Sequence, residues 1–312
     1  MRVTIYYPRE EAAQKWRQAI AAELPEAQVE IWHAASSRPA DYAIGWAPPA
    51  DFFVDQPRLR AFFSTGAGVE HILHNPKLPR DLPIVRLEDG GMGAQMVDYC
   101  RCQVLHWMQH RDEYAAEQAA GVWNPRSTAE RAEWPIGIFG FGVLGRQVAA
   151  AFVADGFPVN AYARSSGMHE PDVRLFSEAK GGDLQRFMGA SRVLIILAPL
   201  TPATQDRFDH QTLPWLPRSS YVINVARGGL LVDEPLLELL DAGHLAGALL
   251  DVFRQEPLPR QHPYWKHPKV RITPHVAANT LIGPATHQMA EKIRRMERSE
   301  SISGIVERGR GY

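Results

Sequence analysis

The 312-residue chain contains only two cysteines, Cys100 and Cys102, and a single residue separates them. Cysteines this close are badly placed for an ordinary structural disulfide, and two residues cannot complete a four-ligand zinc site. Such scarcity fits a reducing compartment, so we expect a cytoplasmic protein without a disulfide framework or a bound metal.

The chain also lacks an excess of either charge and any long apolar run. Lys and Arg together number 34, Asp and Glu number 35, and the formal net charge is −1. A chain without a basic excess is a poor candidate for non-specific nucleic-acid binding. No apolar run approaches the ~18 residues that cross a bilayer, and residues 1–8 do not resemble a signal peptide. We therefore expect neither a nucleic-acid nor a membrane partner.

What the sequence does contain is an ordinary globular composition, with 45% hydrophobic and 22% charged residues. At roughly 150 residues per domain, this length suggests two domains. Short β-type runs alternate with helix-length segments, which is typical of parallel βαβ units. We predict strands at 3–7, 28–32, 42–46, 60–64, 83–87, 136–139, 159–163, 193–197, 221–225, 248–252 and 270–272, and helices at 11–24, 93–120 and 284–298.

The predicted fold class is α/β, with two doubly wound parallel-sheet domains. Residues 1–98 plus 283–312 form the predicted substrate domain, because the last helix is expected to return to the first sheet. Residues 99–282 form the predicted dinucleotide-binding domain. Within it, residues 116–134 break the pattern and include Trp123 and Trp134, which we expect to be exposed on an arm.

A glycine-rich turn follows the predicted strand 136–139 and precedes a helix-compatible segment. It reads Gly-Phe-Gly-Val-Leu-Gly, with glycines at Gly140, Gly142 and Gly145. This is the strand, turn and helix context that the G-x-G-x-x-G dinucleotide motif requires. Gly140 permits the turn, Gly142 lets a pyrophosphate approach, and Gly145 lets the helix pack on the strand. The N–H groups at the helix start, at Val143 and Leu144, would bind the anion.

The end of the next predicted strand indicates which dinucleotide is bound. NAD-binding domains place an acidic residue there to contact the ribose 2′-hydroxyl. Here the strand is followed by Arg164, Ser165 and Ser166, a cation and two hydroxyls that suit a 2′-phosphate. We predict NADPH as the preferred cofactor, with NADH as a weaker alternative.

A wider pattern is carried by segments that are spread along the chain, namely 63–69, 86–89, 91–93, 103–107, 140–145, 224–234, 250–253, 256–258, 273–278 and 311–312. Together these segments resemble the D-isomer-specific 2-hydroxyacid dehydrogenase family, and within it the bacterial glyoxylate/hydroxypyruvate reductases. The resemblance covers nearly the whole chain and depends on the order of its motifs. It implies a flavodoxin-like substrate domain and a Rossmann domain.

Three residues after predicted strand ends fit the reduction of a 2-oxo acid. The guanidinium of Arg227 can bind the carboxylate and polarise the carbonyl. His275 can donate the proton, and Glu256 can orient His275 and favour its imidazolium form. Each residue alone is more often a surface, loop or structural residue, but the resemblance implies these same roles at these positions.

The resemblance also implies further cofactor contacts. Asp251 would face the nicotinamide carboxamide, and residues 199–204 would cover the diphosphate and ribose. The complete predicted cofactor set is Gly140, Gly142, Val143, Leu144, Gly145, Arg164, Ser165, Ser166, Pro199, Thr204, Ala226 and Asp251.

The predicted substrate site draws on the first domain as well. Small residues after strand 60–64 leave backbone N–H groups open to a carboxylate. The resemblance implies that Ala67 and Gly68 hold the substrate carboxylate opposite Arg227. Trp46 and Met92 could wall off a small pocket, which would favour glyoxylate and hydroxypyruvate, although either residue is more often part of a core.

Two other functions stay open at this point. One is an NAD-dependent dehydrogenase of another D-2-hydroxy acid, and the other is a nucleotide-sensing co-regulator without enzymatic activity. The histidine pairs His106 with His110 and His71 with His74 have helical spacing but no obvious third ligand, so we predict no metal site. The resemblance implies that the arm embraces a second subunit, and we expect a homodimer.

Overall fold

The protein is described by a computed structural model. It covers residues 1–34, 37–127, 129–165, 169–179 and 183–311. In chain order its strands are β1 (Arg2–Tyr6), β2 (Gln28–Ile31), β3 (Tyr42–Gly45), β4 (Ala61–Ser64), β5 (Ile84–Val85), β6 (Ile136–Phe139), β7 (Val159–Ala163), β8 (Val173–Ser177), β9 (Val193–Ile196), β10 (Ser220–Asn224), β11 (Leu245–Leu250) and β12 (Val270–Ile272).

The α-helices alternate with these strands along the chain. They are α1 (Glu10–Glu23), α2 (Phe52–Asp55), α3 (Glu70–Leu73), α4 (Met92–Met108), α5 (Arg111–Ala120), α6 (Val143–Ala154), α7 (Asp183–Gly189), α8 (Asp233–Asp241) and α9 (Ile282–Glu297). None of these described helices has the length and apolar character that crossing a bilayer would need.

The chain divides into two units, the first of which contains Met1–Met92 and Asn279–Tyr312. Its parallel sheet has the strand order β2-β1-β3-β4-β5, the order of flavodoxin-like folds. Every residue of β3 and β4 is buried, as expected for parallel strands that are covered on both faces.

Helix α9 belongs to the first unit although it comes from the far end of the chain. It buries Ala285, Met289 and Ile293, which are spaced four residues apart and therefore form one face. It lies against α1, where Arg294 donates a hydrogen bond to the backbone carbonyl of Glu23. The return of the last helix is thus stabilised by an apolar face and by polar contacts to α1.

The second unit, Gly93–Ala278, contains a seven-stranded parallel sheet. Its order is β12-β11-β10-β9-β6-β7-β8, so the chain reverses direction across the sheet between β6 and β9. Ligands of doubly wound sheets bind at the carboxyl ends of the strands beside such a reversal. The glycine turn after β6 and residues 197–204 after β9 lie there, because Leu197 N–H donates to the carbonyl of Phe139. The α/β fold with two parallel sheets is confirmed.

Two local predictions were wrong, and one strand was missed. The segment 93–120 is not one helix, because His110 adopts a left-handed conformation with φ of +53° and separates α4 from α5. Strand β8 was not predicted, since only Phe176 and Ser177 of it are buried and its pattern is weak. Trp134 is buried rather than exposed, because it stacks on Tyr221 with 5.4 Å between ring centroids.

Candidate active site and cofactor site

The glycine turn after β6 has the shape that a bound pyrophosphate needs. Gly140 has φ of +109°, and a Cβ there would lie 2.5 Å from the backbone nitrogen of Ala198. A Cβ on Gly145 would overlap the carbonyl oxygen of Gly140. At Gly142, by contrast, no described atom outside its chain neighbours lies within 4 Å of the Cβ position. The turn is therefore tight toward the sheet and open outward.

Helix α6 begins at this opening. Gly142 is its N-cap residue and, having no side chain, leaves the cap without a side-chain hydrogen bond. The first N–H groups of a helix have no acceptor inside the helix, and they carry the positive end of its dipole. The backbone at Val143 and Leu144 therefore suits an anion, and the residues present fit the diphosphate of a dinucleotide.

The predicted 2′-phosphate residues follow β7. Arg164 and Ser165 come directly after Ala163, at the carboxyl end of the strand, and both are exposed. Ser166 lies outside the described residues. The position that NAD-binding domains give to an acidic side chain is thus occupied by Arg164.

The loop after β9 is held by its own hydroxyl groups. Thr204 donates a hydrogen bond to the carbonyl of Pro199 at 2.6 Å, and its oxygen accepts one from the N–H of Thr201 at 2.9 Å. The Thr204 side chain therefore shapes this loop, which the sequence assigned to the cofactor.

Arg227 follows β10, where an asparagine holds the backbone. The side chain of Asn224 donates to the carbonyl of Arg227 at 3.0 Å and accepts from the N–H of Ala226 at 3.2 Å. Nη1 of Arg227 donates to the carbonyl of Ala226 at 2.7 Å. A Cβ on the following Gly228 would overlap the backbone of Phe253, so the segments after β10 and β11 pack tightly together.

His275 and Glu256 form a hydrogen-bonded pair after β12 and β11. Nδ1 of His275 lies 2.8 Å from Oε2 of Glu256, while Oε1 of Glu256 accepts from the N–H of Phe253 at 2.9 Å. Both side chains are partly exposed, at 48% for His275 and 37% for Glu256. Because β10, β11 and β12 are neighbours, the fold places all three predicted catalytic residues at one edge of the sheet.

Asp251 is hydrogen-bonded to the backbone of the turn that contains His275. It is 1% exposed, and its carboxylate accepts hydrogen bonds from the N–H groups of Val276 at 2.8 Å and Ala277 at 2.9 Å. Its backbone carbonyl accepts from the N–H of His275 at 2.8 Å. His275 itself has φ of +57°, a conformation that is uncommon outside glycine. The Asp251 carboxylate thus stabilises a turn that aims the imidazole.

Two residues that the sequence did not single out extend the hydrogen-bond network around Asp251. The hydroxyl of Thr273 donates to Asp251 at 2.5 Å, and the Tyr99 hydroxyl is hydrogen-bonded to the same Thr273 oxygen. Burial raises the pKa of Tyr99, so its hydroxyl stays protonated at neutral pH. Tyr99 lies on α4, far away in the sequence, and no local pattern marked it.

The predicted substrate residues of the first unit follow two neighbouring strands. Trp46 comes after β3, and Ala67 and Gly68 come after β4. The Trp46 ring lies against His71, with 3.7 Å between ring centroids, and a Cβ on Gly66 would overlap it. His71 was not among the predicted substrate residues, although it packs on one of them.

Met92 is buried at 6% exposure, which is typical of a core side chain. Its sulfur lies 3.9 Å from the hydroxyl of Thr280, and that hydroxyl donates to the carbonyl of Thr65 at 2.8 Å. Met92 therefore supports the segment after β4 from inside the first unit. Across the described ranges we find no group of three or more His, Cys, Asp or Glu side chains arranged to hold a metal ion.

Known proteins are similar to this chain over most or all of its length. Residues 102–277 match the model of the D-isomer specific 2-hydroxyacid dehydrogenase NAD binding domain. The chain is 44% identical to glyoxylate/hydroxypyruvate reductase A of Klebsiella pneumoniae subsp. pneumoniae over 317 aligned residues, covering 100% of both chains. It is 41% identical to the protein of the same name from Salmonella paratyphi B, again over 100% of both.

Two solved structures are similar over almost their whole length. A D-isomer specific 2-hydroxyacid dehydrogenase from Xanthobacter autotrophicus Py2, in complex with NADPH and MES, has a TM-score of 0.93 and 32% identity. The match covers 99% of each chain. An NADPH-dependent glyoxylate/hydroxypyruvate reductase from Sinorhizobium meliloti, in complex with NADP and sulfate, has a TM-score of 0.90 and 33% identity. That match covers 100% of this chain and 99% of the other.

Proposed function

Because the chain belongs to the D-isomer specific 2-hydroxyacid dehydrogenase family, we propose that it is an NADPH-dependent reductase of small 2-oxo acids. Its substrates are glyoxylate, reduced to glycolate, and hydroxypyruvate, reduced to D-glycerate. The observation that carries this function is the His275–Glu256 pair at 2.8 Å, at the same sheet edge as Arg227. The names of its relatives, at 41–44% identity over their full length, support the substrate class.

The proton donor is His275. Its Nδ1 is engaged by Glu256, so the ring nitrogen left to face a substrate is Nε2. The carboxylate fixes the ring orientation, so that a protonated His275 can donate from Nε2 to the developing alkoxide. After the reaction, His275 is neutral with its remaining proton on Nδ1, directed at Glu256.

Arg227 is the anchor for the substrate. A guanidinium is always charged and presents parallel N–H donors, so it can bind a carboxylate and polarise the adjacent carbonyl. When bound, NADPH supplies the hydride for the carbonyl carbon, and this balances the proton from His275.

The cofactor is held by the glycine turn and by the residues after β7. The N-terminus of α6 takes the diphosphate, and Arg164 with Ser165 takes the 2′-phosphate. We propose that Asp251 acts chiefly by positioning the 273–277 turn, since its carboxylate already accepts three hydrogen bonds.

We also propose a homodimer formed through the predicted arm, residues 116–134, which begins in the last part of α5. No residue of α5 is buried in the single chain, and Trp123 is 95% exposed. The arm is nevertheless held in shape, because Arg126 pairs with both oxygens of Glu117 at 2.7 Å. Val122 beside Trp123 is 53% exposed, and neighbouring apolar side chains that both face solvent are typical of an interface. The two cysteines are free, which fits a reducing compartment such as the cytoplasm.

The function is tested by following NADPH oxidation at 340 nm with a panel of 2-oxo acids. We expect glyoxylate and hydroxypyruvate to give the highest kcat/KM, and NADH to be a poorer donor than NADPH. A preference for 2-oxo acids with large side chains would contradict the proposed substrates. Tight NADPH binding without turnover of any 2-oxo acid would favour the co-regulator alternative instead.

A further inference from the structure

An acidic residue lies directly beside the predicted 2′-phosphate site, on the neighbouring strand. Strands β7 and β8 are parallel, and Ala163 pairs with Ser177 at their carboxyl ends. The residue directly after β8 is Glu178, whose N–H donates to the carbonyl of Ala163 at 3.0 Å. Arg164 and Glu178 therefore occupy corresponding positions on adjacent strands. A carboxylate in this position would repel a 2′-phosphate on the neighbouring strand end, whereas it could accept a hydrogen bond from a ribose 2′-hydroxyl.

This carboxylate is engaged by a second arginine. Nη2 of Arg207 lies 3.0 Å from Oε1 and 2.8 Å from Oε2 of Glu178. The Tyr162 hydroxyl donates to Oε2 at 2.5 Å. Burial, followed by the nearby carboxylate, raises the pKa of Tyr162, so the hydroxyl is a neutral donor at physiological pH. Glu178 thus has three hydrogen bonds and a compensated charge.

Arg207 comes from the segment that follows the loop assigned to the cofactor. Its N–H donates to the carbonyl of Thr204 at 3.2 Å, so its backbone continues that loop. The neighbouring Asp206 carboxylate is paired with Arg254. The one acidic group that Arg207 is seen to pair with among the described residues is therefore Glu178.

We propose that Arg207 is a specificity-determining positioning residue for the cofactor, which favours NADPH by neutralising Glu178 beside the 2′-phosphate site. This inference rests on the proposed NADPH dependence. Without Arg207, the Glu178 carboxylate would repel a 2′-phosphate and could accept a hydrogen bond from a 2′-hydroxyl. The cofactor preference would then shift from NADPH toward NADH.

The test compares Arg207→Gln, Glu178→Gln and the double variant by isothermal titration with NADP⁺ and NAD⁺. Because the Glu178 carboxylate would lie close to the 2′-phosphate, we expect Arg207→Gln to weaken NADP⁺ binding about three- to tenfold. The binding of NAD⁺, which has no 2′-phosphate, should change by less than about twofold. Adding Glu178→Gln should restore NADP⁺ binding to within about twofold of the wild type. Glu178→Gln alone should leave NADP⁺ binding unchanged or tighter.

A matched control is Arg101→Gln, because Arg101 also pairs with both oxygens of a carboxylate, at 2.6 and 3.0 Å from Asp155. Asp155 follows the far end of α6, away from the glycine turn. Equal weakening of NADP⁺ and NAD⁺ in Arg207→Gln, or a double variant as weak as the single one, would overturn the proposal. If the wild-type chain binds NAD⁺ more tightly than NADP⁺, the proposed cofactor preference is wrong. The role of Arg207 is decided separately, by the ratio of the NADP⁺ dissociation constants of the variant and the wild type.

Discussion

His275 and Glu256, 19 positions apart in the sequence, meet at 2.8 Å between Nδ1 and Oε2. The backbone of His275 has φ of +57°, and the Glu256 carboxylate accepts a hydrogen bond from the N–H of Phe253. Two loops that follow neighbouring strands thus fix one imidazole orientation.

Substitutions of this pair should separate proton donation from positioning. His275→Asn removes the donor and keeps a side chain that tolerates a left-handed backbone, so kcat/KM should fall by about 10²–10⁴-fold with little loss of stability. Glu256→Gln keeps the hydrogen bond but not the charge, and a fall of about 10- to 100-fold is expected. Steady-state assays with glyoxylate measure both values. Activity within twofold of the wild type in His275→Asn would remove His275 from the mechanism.

Replacement of Arg227 tests the carboxylate anchor. Arg227→Lys keeps the charge but loses the parallel donors, so KM for glyoxylate should rise about tenfold or more. Arg227→Ala should lower kcat/KM by at least about 10²-fold. The dissociation constant of NADPH, measured by fluorescence, is the control and should change little. A variant that loses NADPH binding and glyoxylate turnover in equal measure would point to a cofactor role for Arg227.

Tyr99 should act on the site through Thr273 and Asp251. Tyr99→Phe removes the hydroxyl that is bonded to Thr273, and we expect a loss of about 1 kcal/mol in unfolding free energy. The expected decrease in kcat is less than about tenfold, because Asp251 keeps all three of its hydrogen-bond donors. Urea unfolding and steady-state kinetics measure the two effects. Tyr114→Phe, on α5, is the matched control, because it also removes a hydrogen-bonded hydroxyl, and an equal loss of kcat there would argue against an effect through Thr273.

Glu88 should make the first unit sensitive to acid. Burial raises its pKa, but hydrogen bonds from Ser303 and Lys292 outweigh this and lower the pKa of Glu88 overall. A carboxyl group with a lowered pKa stabilises the fold above its unfolded pKa of about 4.3, and this stability is lost as the pH falls. Glu88→Gln should therefore cost about 2 kcal/mol at pH 7, from the hydrogen bonds to the charged group, and the difference should shrink below about pH 4.

Urea unfolding at pH 7 and at pH 3.5 measures this effect. Glu30→Gln on β2 removes an exposed carboxylate and serves as the control. A Glu88→Gln deficit that stays constant between the two pH values would show that the ionised form of Glu88 is not what stabilises the unit.

The arm should determine the oligomeric state. The chain mass is 34.9 kDa, and light scattering should give about twice this value for a homodimer. Trp123→Asp should shift the population toward the monomer, because it places a charge in the proposed interface. Val54→Asp, at a residue of α2 that is 59% exposed, should leave the dimer intact. A monomeric wild type would contradict the proposal.

Much of the fold could be read from local patterns. The alternation of apolar runs and helical segments indicated parallel βαβ units, and the glycine spacing after β6 located the helix start. Helix 93–120 was predicted as one piece, because nothing in the sequence marks the left-handed conformation of His110. Strand β8 was missed, since only its last two residues are buried and its apolar pattern is therefore weak.

The sequence by itself determined the chemical groups of the site and their order, because Arg227, Glu256 and His275 stand in motifs whose residue types suit carboxylate binding and proton transfer. Only the tertiary structure decided what surrounds them. Tyr99 reaches Thr273, and Arg207 reaches Glu178, through contacts between segments that are distant in the chain. Such pairs depend on strand order and helix packing, which bring side chains together without any regular spacing in the sequence. The buried Asp251 carboxylate shows the same limit, since its three hydrogen bonds arise only once β11 and β12 lie side by side.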